Sequence, residues 1–451
     1  MLKKLKIHNF KSLVDFEIDL QPFTVLIGPN ASGKSTILQA IDFIKWFGEG
    51  NPGGFLEERG WETTDIRSKL TGTQNQIFSL QIHLKKEVLL WDFKLGFKRH
   101  GAPVCLTENL SICGHANPGS PYFPVIPVFK RGRKGIQRAI TAEYKQFWDT
   151  LRLQLVQLGN LSKEPRDGIT DNVNDLENGC SITYQEIPPV EISGSVLSLF
   201  RLDSKEDWHN FYYQGIVRQY LGKFCTLELL SPEHLKKKSR LKRADIGITG
   251  KYLAAFLDGL KPDQRDVLDK RLKSLYKRSR GIQTIRKRAG WTEFFLREPF
   301  YDDKLRKLLK KKIPAQHISD GILRIIAILA ALEGLENGST ILIDEIENGI
   351  YPDLAHIFIK AVQEIGEKKK FQIIATTHSP AIINAWPDES IIFVWRDEKG
   401  HVKAEPLFED PEMKERLDFM SPGAVWHNTP SKQIIETLEI QHARKKEKGK
   451  N

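Results

Sequence analysis

The sequence predicts an α/β fold built round a buried parallel sheet and cut in two by a long insertion. Three observations predict it. A glycine-rich loop stands between an apolar strand and a helix at residues 23–47. An apolar strand ends in two acids at 341–345, and another ends in a histidine at 371–378. Lys34 in the first and Asp344 in the second are 310 positions apart, far more than a compact nucleotide-binding domain places between its loop and its acid. The two halves must therefore reassemble in space.

The loop reads Gly28-Pro29-Asn30-Ala31-Ser32-Gly33-Lys34-Ser35-Thr36. The run Phe23-Thr24-Val25-Leu26-Ile27 before it is a buried strand. After it, Ile37, Leu38, Ile41 and Ile44 recur at helical spacing. Strand, loop and helix are the context a phosphate-binding loop needs. Gly28 and Gly33 let the backbone curl so that N–H groups face phosphates, and the helix N-terminus adds a favourable dipole. The pattern predicts a nucleoside triphosphate site, with Asn30, Gly33, Lys34, Ser35 and Thr36 around the nucleotide. Lys34 is expected at the β and γ phosphates and Ser35 on Mg²⁺.

The acid strand is Ile341-Leu342-Ile343-Asp344-Glu345. Asp344 is placed to hold Mg²⁺ through water and Glu345 to activate the attacking water. Alone, the pair could instead open an ordinary helix. The strand Phe371-Gln372-Ile373-Ile374-Ala375-Thr376-Thr377 ends at His378, 34 residues beyond Asp344, room for one helix and a return strand. Ahead of the acid strand, Ser319-Asp320-Gly321 opens an apolar helix from Ile325 to Leu335. That turn reads either as a second phosphate site, with Ser319 and Gly321 as its contacts, or as a simple N-cap.

Taken together these motifs resemble the ABC-type ATPases of the SMC, RecF and OLD group, and specifically the bacterial AAA_21 ATPases. Leu5-Lys6-Ile7-His8-Asn9-Phe10-Lys11-Ser12-Leu13 is similar to that group's opening strand. Ser319-Asp320-Gly321 is similar to its signature, and Asp344-Glu345-Ile346-Glu347-Asn348-Gly349-Ile350-Tyr351-Pro352 to its acid strand plus D-loop. Thr377-His378-Ser379-Pro380 is similar to its switch histidine, and Ile248-Thr249-Gly250-Lys251-Tyr252-Leu253-Ala254-Ala255 to a less specific landmark. Ala31 departs from the pattern where glycine is common, and Ile346 where proline is common. The Q-loop glutamine stays open among Gln137, Gln154 and Gln157. The resemblance covers residues 1–100 and 225–400.

The resemblance implies a split ABC-type, RecF/SMC-like P-loop ATPase head using ATP and Mg²⁺. It implies a head-to-tail homodimer, or a higher oligomer, in which Ser319 and Gly321 of one copy close on the nucleotide of the other. Glu345 and His378 would be the catalytic pair and Ser35 and Asp344 the metal-side residues. ATPases of this size occur in anti-phage systems such as Septu and PARIS, beside a separately encoded nuclease or toxin. The expected function is therefore an ATP-hydrolysing sensor subunit controlling such an effector. A RecF/SMC-like ATPase of DNA repair or chromosome maintenance is the alternative. Only 73 residues follow His378, too few for a metal-dependent nuclease domain, so any DNA cutting is expected from a partner chain.

Composition agrees. The 451 residues suit a split ATPase with an insertion. No apolar run of about 18 residues predicts a membrane span, and Met1 leads into a strand without the apolar core of a secretory signal. Cys105, Cys113, Cys180 and Cys225 show no pairing framework, which points to a reducing cytoplasm. Cys105, Cys113 and His115 lack a fourth ligand at zinc spacing. The net charge of +11 is concentrated: residues 231–312 hold 25 Lys and Arg against 10 Asp and Glu. This is either a solvated face or a surface for DNA or an acidic partner, and Trp291, Phe294 and Phe295 nearby favour the surface.

The expected organisation is an N-terminal ATPase lobe over 1–130, a mainly helical insertion over 131–223, a C-terminal ATPase lobe over 224–430 and a basic tail over 431–451. Within the insertion the sequence predicts an amphipathic helix over 139–161, a polar loop over 163–194 and a second helix over 208–221.

Overall fold

A computed structural model describes residues 1–84, 87–97, 103–114, 126–132, 135–141, 175–177, 180–187, 195, 197, 212–240, 245–302 and 306–448. The strands, in chain order, are β1 (Leu2–His8), β2 (Phe16–Asp19), β3 (Phe23–Ile27), β4 (Gln76–His83), β5 (Glu87–Gly96), β6 (Val104–Gly114), β7 (Ile126–Gly132), β8 (Gly135–Thr141), β9 (Asp175–Glu177), β10 (Cys180–Ile187), β11 (Phe224–Leu227), β12 (Ile282–Arg286), β13 (Thr292–Asp302), β14 (Lys307–Pro314), β15 (Thr340–Ile343), β16 (Gln372–Thr376), β17 (Ile391–Arg396) and β18 (Val402–Pro406). The helices used below are α1 (Lys34–Gly48), α2 (Pro52–Arg59), α3 (Tyr212–Gly222), α4 (Pro232–Leu235), α5 (Leu253–Gly259), α6 (Pro262–Leu275), α7 (Asp320–Gly334) and α8 (Pro352–Lys369).

The chain folds as two units that interleave in sequence. The first comprises Met1–Asp19 and Phe43–Leu221, the second Leu20–Asp42 and Gly222–Asn451. Helix α1 contributes its start to the second unit and its end to the first.

In the first unit an antiparallel sheet runs in the order β2-β1-β4-β5-β6-β7-β8-β10-β9 among the described residues. Strand β4 alternates buried and less buried residues, the period of a sheet with one face on a core. That core is aromatic: Phe47 stacks on Phe93 at 4.3 Å between ring centroids, and Phe93 on Phe78 at 4.8 Å. Glu108 is fully buried there and is satisfied by Trp91 Nε1 at 3.0 Å and by the Ser195 hydroxyl.

The insertion departs from expectation. Residues 139–141, assigned above to the start of a helix, are the end of β8, paired with β10. The expected polar loop over 163–194 contains β9 and β10. The mainly helical insertion is thus strand-rich where it is described. Helical spacing of Phe147, Leu151, Leu155 and Leu158 suggested the helix, but residues 142–161 lie outside the described residues. The second helix is present as α3, with 208–211 outside them.

In the second unit a six-stranded sheet runs β11-β15-β16-β3-β17-β18, parallel except for the last pair. Strands β15 and β16 are buried along their whole length, as a parallel sheet covered on both faces requires. Helix α7 is buried from Leu323 to Glu333, and α8 buries Phe358, Ile359, Val362 and Ile365. A separate antiparallel sheet, β12-β13-β14, carries much of the basic segment. Among the described residues no helix is long and apolar enough to cross a membrane.

Candidate nucleotide site

Strand order builds the site. β3, β15 and β16 lie side by side, so the loops leaving their carboxyl ends meet, which is where open parallel sheets bind ligands. Register makes this specific. Thr376 pairs with Leu26 and Ala375 with Ile343, and Thr377 N–H donates to Leu26 O at 3.2 Å. Residues 28–36, 344–345 and 376–378 therefore leave the sheet at one level.

The phosphate loop has the curled backbone its glycines imply. Gly28 has φ +144°, and a Cβ there would sit 2.1 Å from Val394 O; at Gly33, φ is +110°. Ala31 has φ 60°, a left-handed conformation in which a Cβ costs about 1–2 kcal/mol. That explains why glycine is common at this position. Ala31→Val is expected to lower stability by roughly that amount or more, because a β-branched side chain fits this conformation worse. A thermal-unfolding comparison with Ala31→Gly, expected to match wild type more closely, checks it.

Lys34 is buried and its Nζ donates to Gly28 O at 3.0 Å and Pro29 O at 2.9 Å. These are carbonyls of the loop itself, contacts a triphosphate can replace. Burial lowers the Lys34 ammonium to about 8, against the opposing pull of Asp344, Glu345 and Glu347. The folded value lies below the ordinary 10.5, so between about pH 8 and 10.5 the unfolded chain holds a proton the folded chain lacks. Stability of the nucleotide-free protein should therefore rise with pH across that window, relative to Lys34→Met. Paired denaturation curves at pH 7.5 and 9.5 check the sign, and a wild-type stability minus variant stability that falls or stays constant refutes it.

Asp344 is the hub. Its Oδ1 accepts from Ser35 Oγ at 3.1 Å and from Thr376 Oγ1 at 2.6 Å, across 309 and 32 positions of chain. Burial raises its pKa from the ordinary value, while the Thr376 and Ser35 hydrogen bonds oppose the shift. Ser35 and Asp344 offer a hydroxyl and a carboxylate oxygen side by side. This small, hard donor set suits Mg²⁺, which keeps most of its waters and takes few protein ligands.

Glu345 is exposed and has φ 48°, a strained value for a non-glycine residue. Three neighbours hold it there. Thr376 Oγ1 accepts its N–H at 2.8 Å, Arg324 Nη2 donates to its carbonyl at 3.0 Å, and Asn348 Nδ2 donates to Oε2 at 3.2 Å. Arg324 is only 6% exposed and also donates to Asp344 O and Leu230 O. Burial lowers its pKa from the ordinary value, yet a guanidinium stays charged.

His378 follows β16, and its N–H donates to Glu347 Oε1 at 2.6 Å. Burial, helped by the Lys34 charge, lowers the imidazole pKa from its ordinary value, which favours the neutral ring. A neutral ring offers one N–H donor and one acceptor, a combination suited to reading a phosphate oxygen.

The signature turn sits elsewhere in the same unit. Ser319 occupies the N-cap of α7, but its hydroxyl makes no cap hydrogen bond. Its side chain is exposed, so the simple N-cap reading leaves it unexplained. Gly321 packs on the D-loop, and a Cβ there would lie 2.0 Å from Gly349 O. Among the described residues no hydrogen bond joins 319–321 to the phosphate loop.

The structure thus gathers Lys34, Ser35, Asp344, Glu345 and His378, with Gly33 shaping the loop, Asn30 exposed on it and Thr36 in the first turn of α1. Sequence reasoning missed Thr376, Arg324, Glu347 and Asn348. Thr376 was findable from strand alignment, being the polar residue two before His378. Arg324 had no local signal, because its partners are backbone carbonyls of distant segments. Of the glutamines left open for the Q-loop, Gln137 lies on β8, opposite Lys130 and Glu186, and the other two fall outside the described residues. Among the described residues no cluster of three metal-ligating side chains occurs, and His115 lies outside them.

A phosphate loop, an acid pair and a histidine at the carboxyl ends of one parallel sheet form the arrangement of a P-loop ATPase head and resemble that of the SMC, RecF and OLD group. Two family models agree with an ATPase. Residues 254–384 match the family model described as "AAA domain, putative AbiEii toxin, Type IV TA system", and residues 1–101 match that of an AAA ATPase domain. The chain is 50% identical over 44 residues to the OLD nuclease of Thermus scotoductus, a match spanning 10% of this chain and 8% of that protein. Among solved structures it is similar to an SMC head domain from Thermotoga maritima, with 14% identity, 90% and 98% of the two chains covered and a TM-score of 0.41. An SMC head bound to the C-terminal winged-helix domain of ScpA gives 15% identity, 92% and 99% coverage and a TM-score of 0.48.

Proposed function

We propose that this chain is the ATP-hydrolysing switch subunit of an anti-phage defence complex, controlling a separately encoded nuclease or toxin. The observation that carries the ATPase part is the contact of Ser35 with Asp344, backed by Lys34 and Thr376. The family model over 254–384, whose description names a toxin system, and the short OLD nuclease match support the defence part.

ATP would lie with its β and γ phosphates at Lys34 and the N-terminus of α1. Ser35 and Asp344 would hold Mg²⁺, which supplies charge neutralisation between the phosphates. Glu345, fixed by Thr376, Arg324 and Asn348, takes the proton of the attacking water, and His378 contacts the γ-phosphate. Ser319 and Gly321 of a second copy complete the site from outside, which accounts for an exposed, uncapped Ser319. Hydrolysis then opens the pair, and that change of state is the signal passed to the effector.

Co-purification with the product of an adjacent nuclease or toxin reading frame, followed by effector assays with ATP and with a non-hydrolysable analogue, tests the assignment. Effector activity that changes with the nucleotide supports it. An effector indifferent to nucleotide, together with an ATPase stimulated by gapped DNA, would favour the repair alternative.

A further inference from the structure

Among the described residues, the outer half of the β13–β14 hairpin pairs with no third strand. β12 runs beside β13 only from Thr292 to Leu296, whereas β14 follows β13 out to Asp302, which stands opposite Lys307. Past Arg297 the hairpin is therefore a two-stranded ribbon, an arrangement that is marginal by itself in water.

The backbone of this ribbon has a readable direction. Arg297 N–H donates to Gly281 O at 2.9 Å, and Arg297 O accepts Arg280 N–H at 2.8 Å, so both groups of Arg297 face away from β14. Direction alternates along a strand, so Pro299 and Tyr301 face the same way, and Arg278 Nη2 donates to Pro299 O at 3.3 Å. Their partners in register are Lys312, Lys310 and Leu308, which accordingly turn their N–H and C=O groups away from β13. The two edges of the ribbon differ. On β13 a proline removes the donor at 299 and blunts the edge. β14 has no proline before Pro314 and keeps its donors.

Cross-strand partners also share a face, so Pro299, Tyr301, Leu308, Lys310 and Lys312 stand on one side of the ribbon. Tyr301 and Leu308 are directly opposed, and they are 61% and 70% exposed. Lys310 and Lys312 are exposed, and neither makes an ion pair among the described residues.

We propose that β14 is a docking edge to which an acidic, extended segment of a partner protein adds as a further strand. This deepens the reading that a separately encoded protein works with this chain: that reading supplies the partner, and the contacts above supply the edge. Unpaired main-chain groups give such an edge its affinity, and alternate side chains give it its choice. Lys310 and Lys312 set the sign, since carboxylates at alternate positions of the incoming strand would stand opposite them, with an apolar side chain opposite Leu308. A second copy is disfavoured by the same charges, because β14 against β14 puts lysine beside lysine. Lysines alone on an edge would only discourage pairing, but the exposed Tyr301–Leu308 pair offers an apolar contact to whatever covers it. Duplex DNA would satisfy the lysines and leave the backbone groups and the apolar pair unmatched.

The test uses the full chain and a fluorescent peptide of about ten residues that alternates glutamate with valine, read by anisotropy and by hydrogen exchange. The peptide should bind and slow exchange across β14. A peptide with lysine in place of glutamate should bind about tenfold more weakly or worse. Lys310→Gln combined with Lys312→Gln should weaken binding of the acidic peptide roughly three- to tenfold and leave ATP hydrolysis unchanged. The acidic peptide N-methylated at alternate amides keeps its charge but cannot pair along an edge, and it should not bind. No binding of the acidic peptide, equal binding of its methylated form, or protection that falls outside β14 overturns the proposal. So does a short duplex that displaces the peptide from β14 and binds there more tightly. A co-purifying effector retained equally by wild type and by the doubly substituted Lys310→Glu, Lys312→Glu chain overturns the docking edge and leaves the partner reading intact. Peptide protection at β14 with no effector associating is a failure of that partner reading alone.

Discussion

Glu345→Gln is expected to keep ATP affinity near wild type while slowing hydrolysis by on the order of 10²-fold or more, the range for losing a positioned general base. The Glu345 side chain is held by Asn348 at 3.2 Å and its backbone by Thr376 and Arg324, so the amide should occupy the same place without accepting a proton. Binding is expected to depend on Lys34, Ser35 and Asp344, which the substitution leaves alone. The variant should therefore accumulate the closed, ATP-bound assembly, seen by light scattering as a larger mass only when ATP is present. Wild-type turnover by Glu345→Gln would remove Glu345 from the role of base. Its strained φ would then need a different explanation.

Ser319→Arg is expected to abolish hydrolysis, again by 10² or more, while the isolated chain still binds ATP. Ser319 is exposed and makes no hydrogen bond to its own phosphate loop, so an arginine there leaves the chain's own pocket unchanged and blocks closure on another copy. Lys34→Ala should fail for the opposite reason, since it disables its own pocket but keeps the turn at Ser319 sound. Mixed together, the two variants should form one working composite site, in which the Ser319→Arg chain holds ATP and the Lys34→Ala chain closes over it. Phosphate release should return on mixing, to at most about half of the wild-type rate per dimer, because only one of two sites can be complete. Proven co-assembly without recovery would remove the support for a head-to-tail pair.

Much of the site was legible because its parts are short contiguous motifs whose chemistry is local. Gly28 and Gly33 announce a curled backbone, Asp344 and Glu345 follow an apolar strand, and His378 follows another. The split was legible too, since 310 positions between Lys34 and Asp344 leave no other way to assemble the set. The insertion was read less well. Periodicity over 139–161 suggested a helix, yet 139–141 pair with β10 in an antiparallel ladder. Short apolar periodicities are ambiguous between helix and strand, and a strand's partner decides between them.

By itself, then, the sequence determined which groups the chain offers: a lysine and hydroxyl on a glycine loop, an acid pair, a histidine and a serine turn. These depend on backbone conformations that a few neighbouring residues impose. Only the tertiary structure decided what those groups touch. The order β15-β16-β3 brings Asp344 to Ser35 and inserts Thr376 between Asp344 and Glu345. Folding also lays Arg324 across the carbonyls of the acid pair and joins residues 236–240 to 287–288 beside Asp320. Such contacts come from non-local strand pairing and from side chains reaching distant backbone, where burial makes each unpaired polar group costly. No local pattern encodes them, because their partners lie anywhere from 20 to more than 300 positions away along the chain.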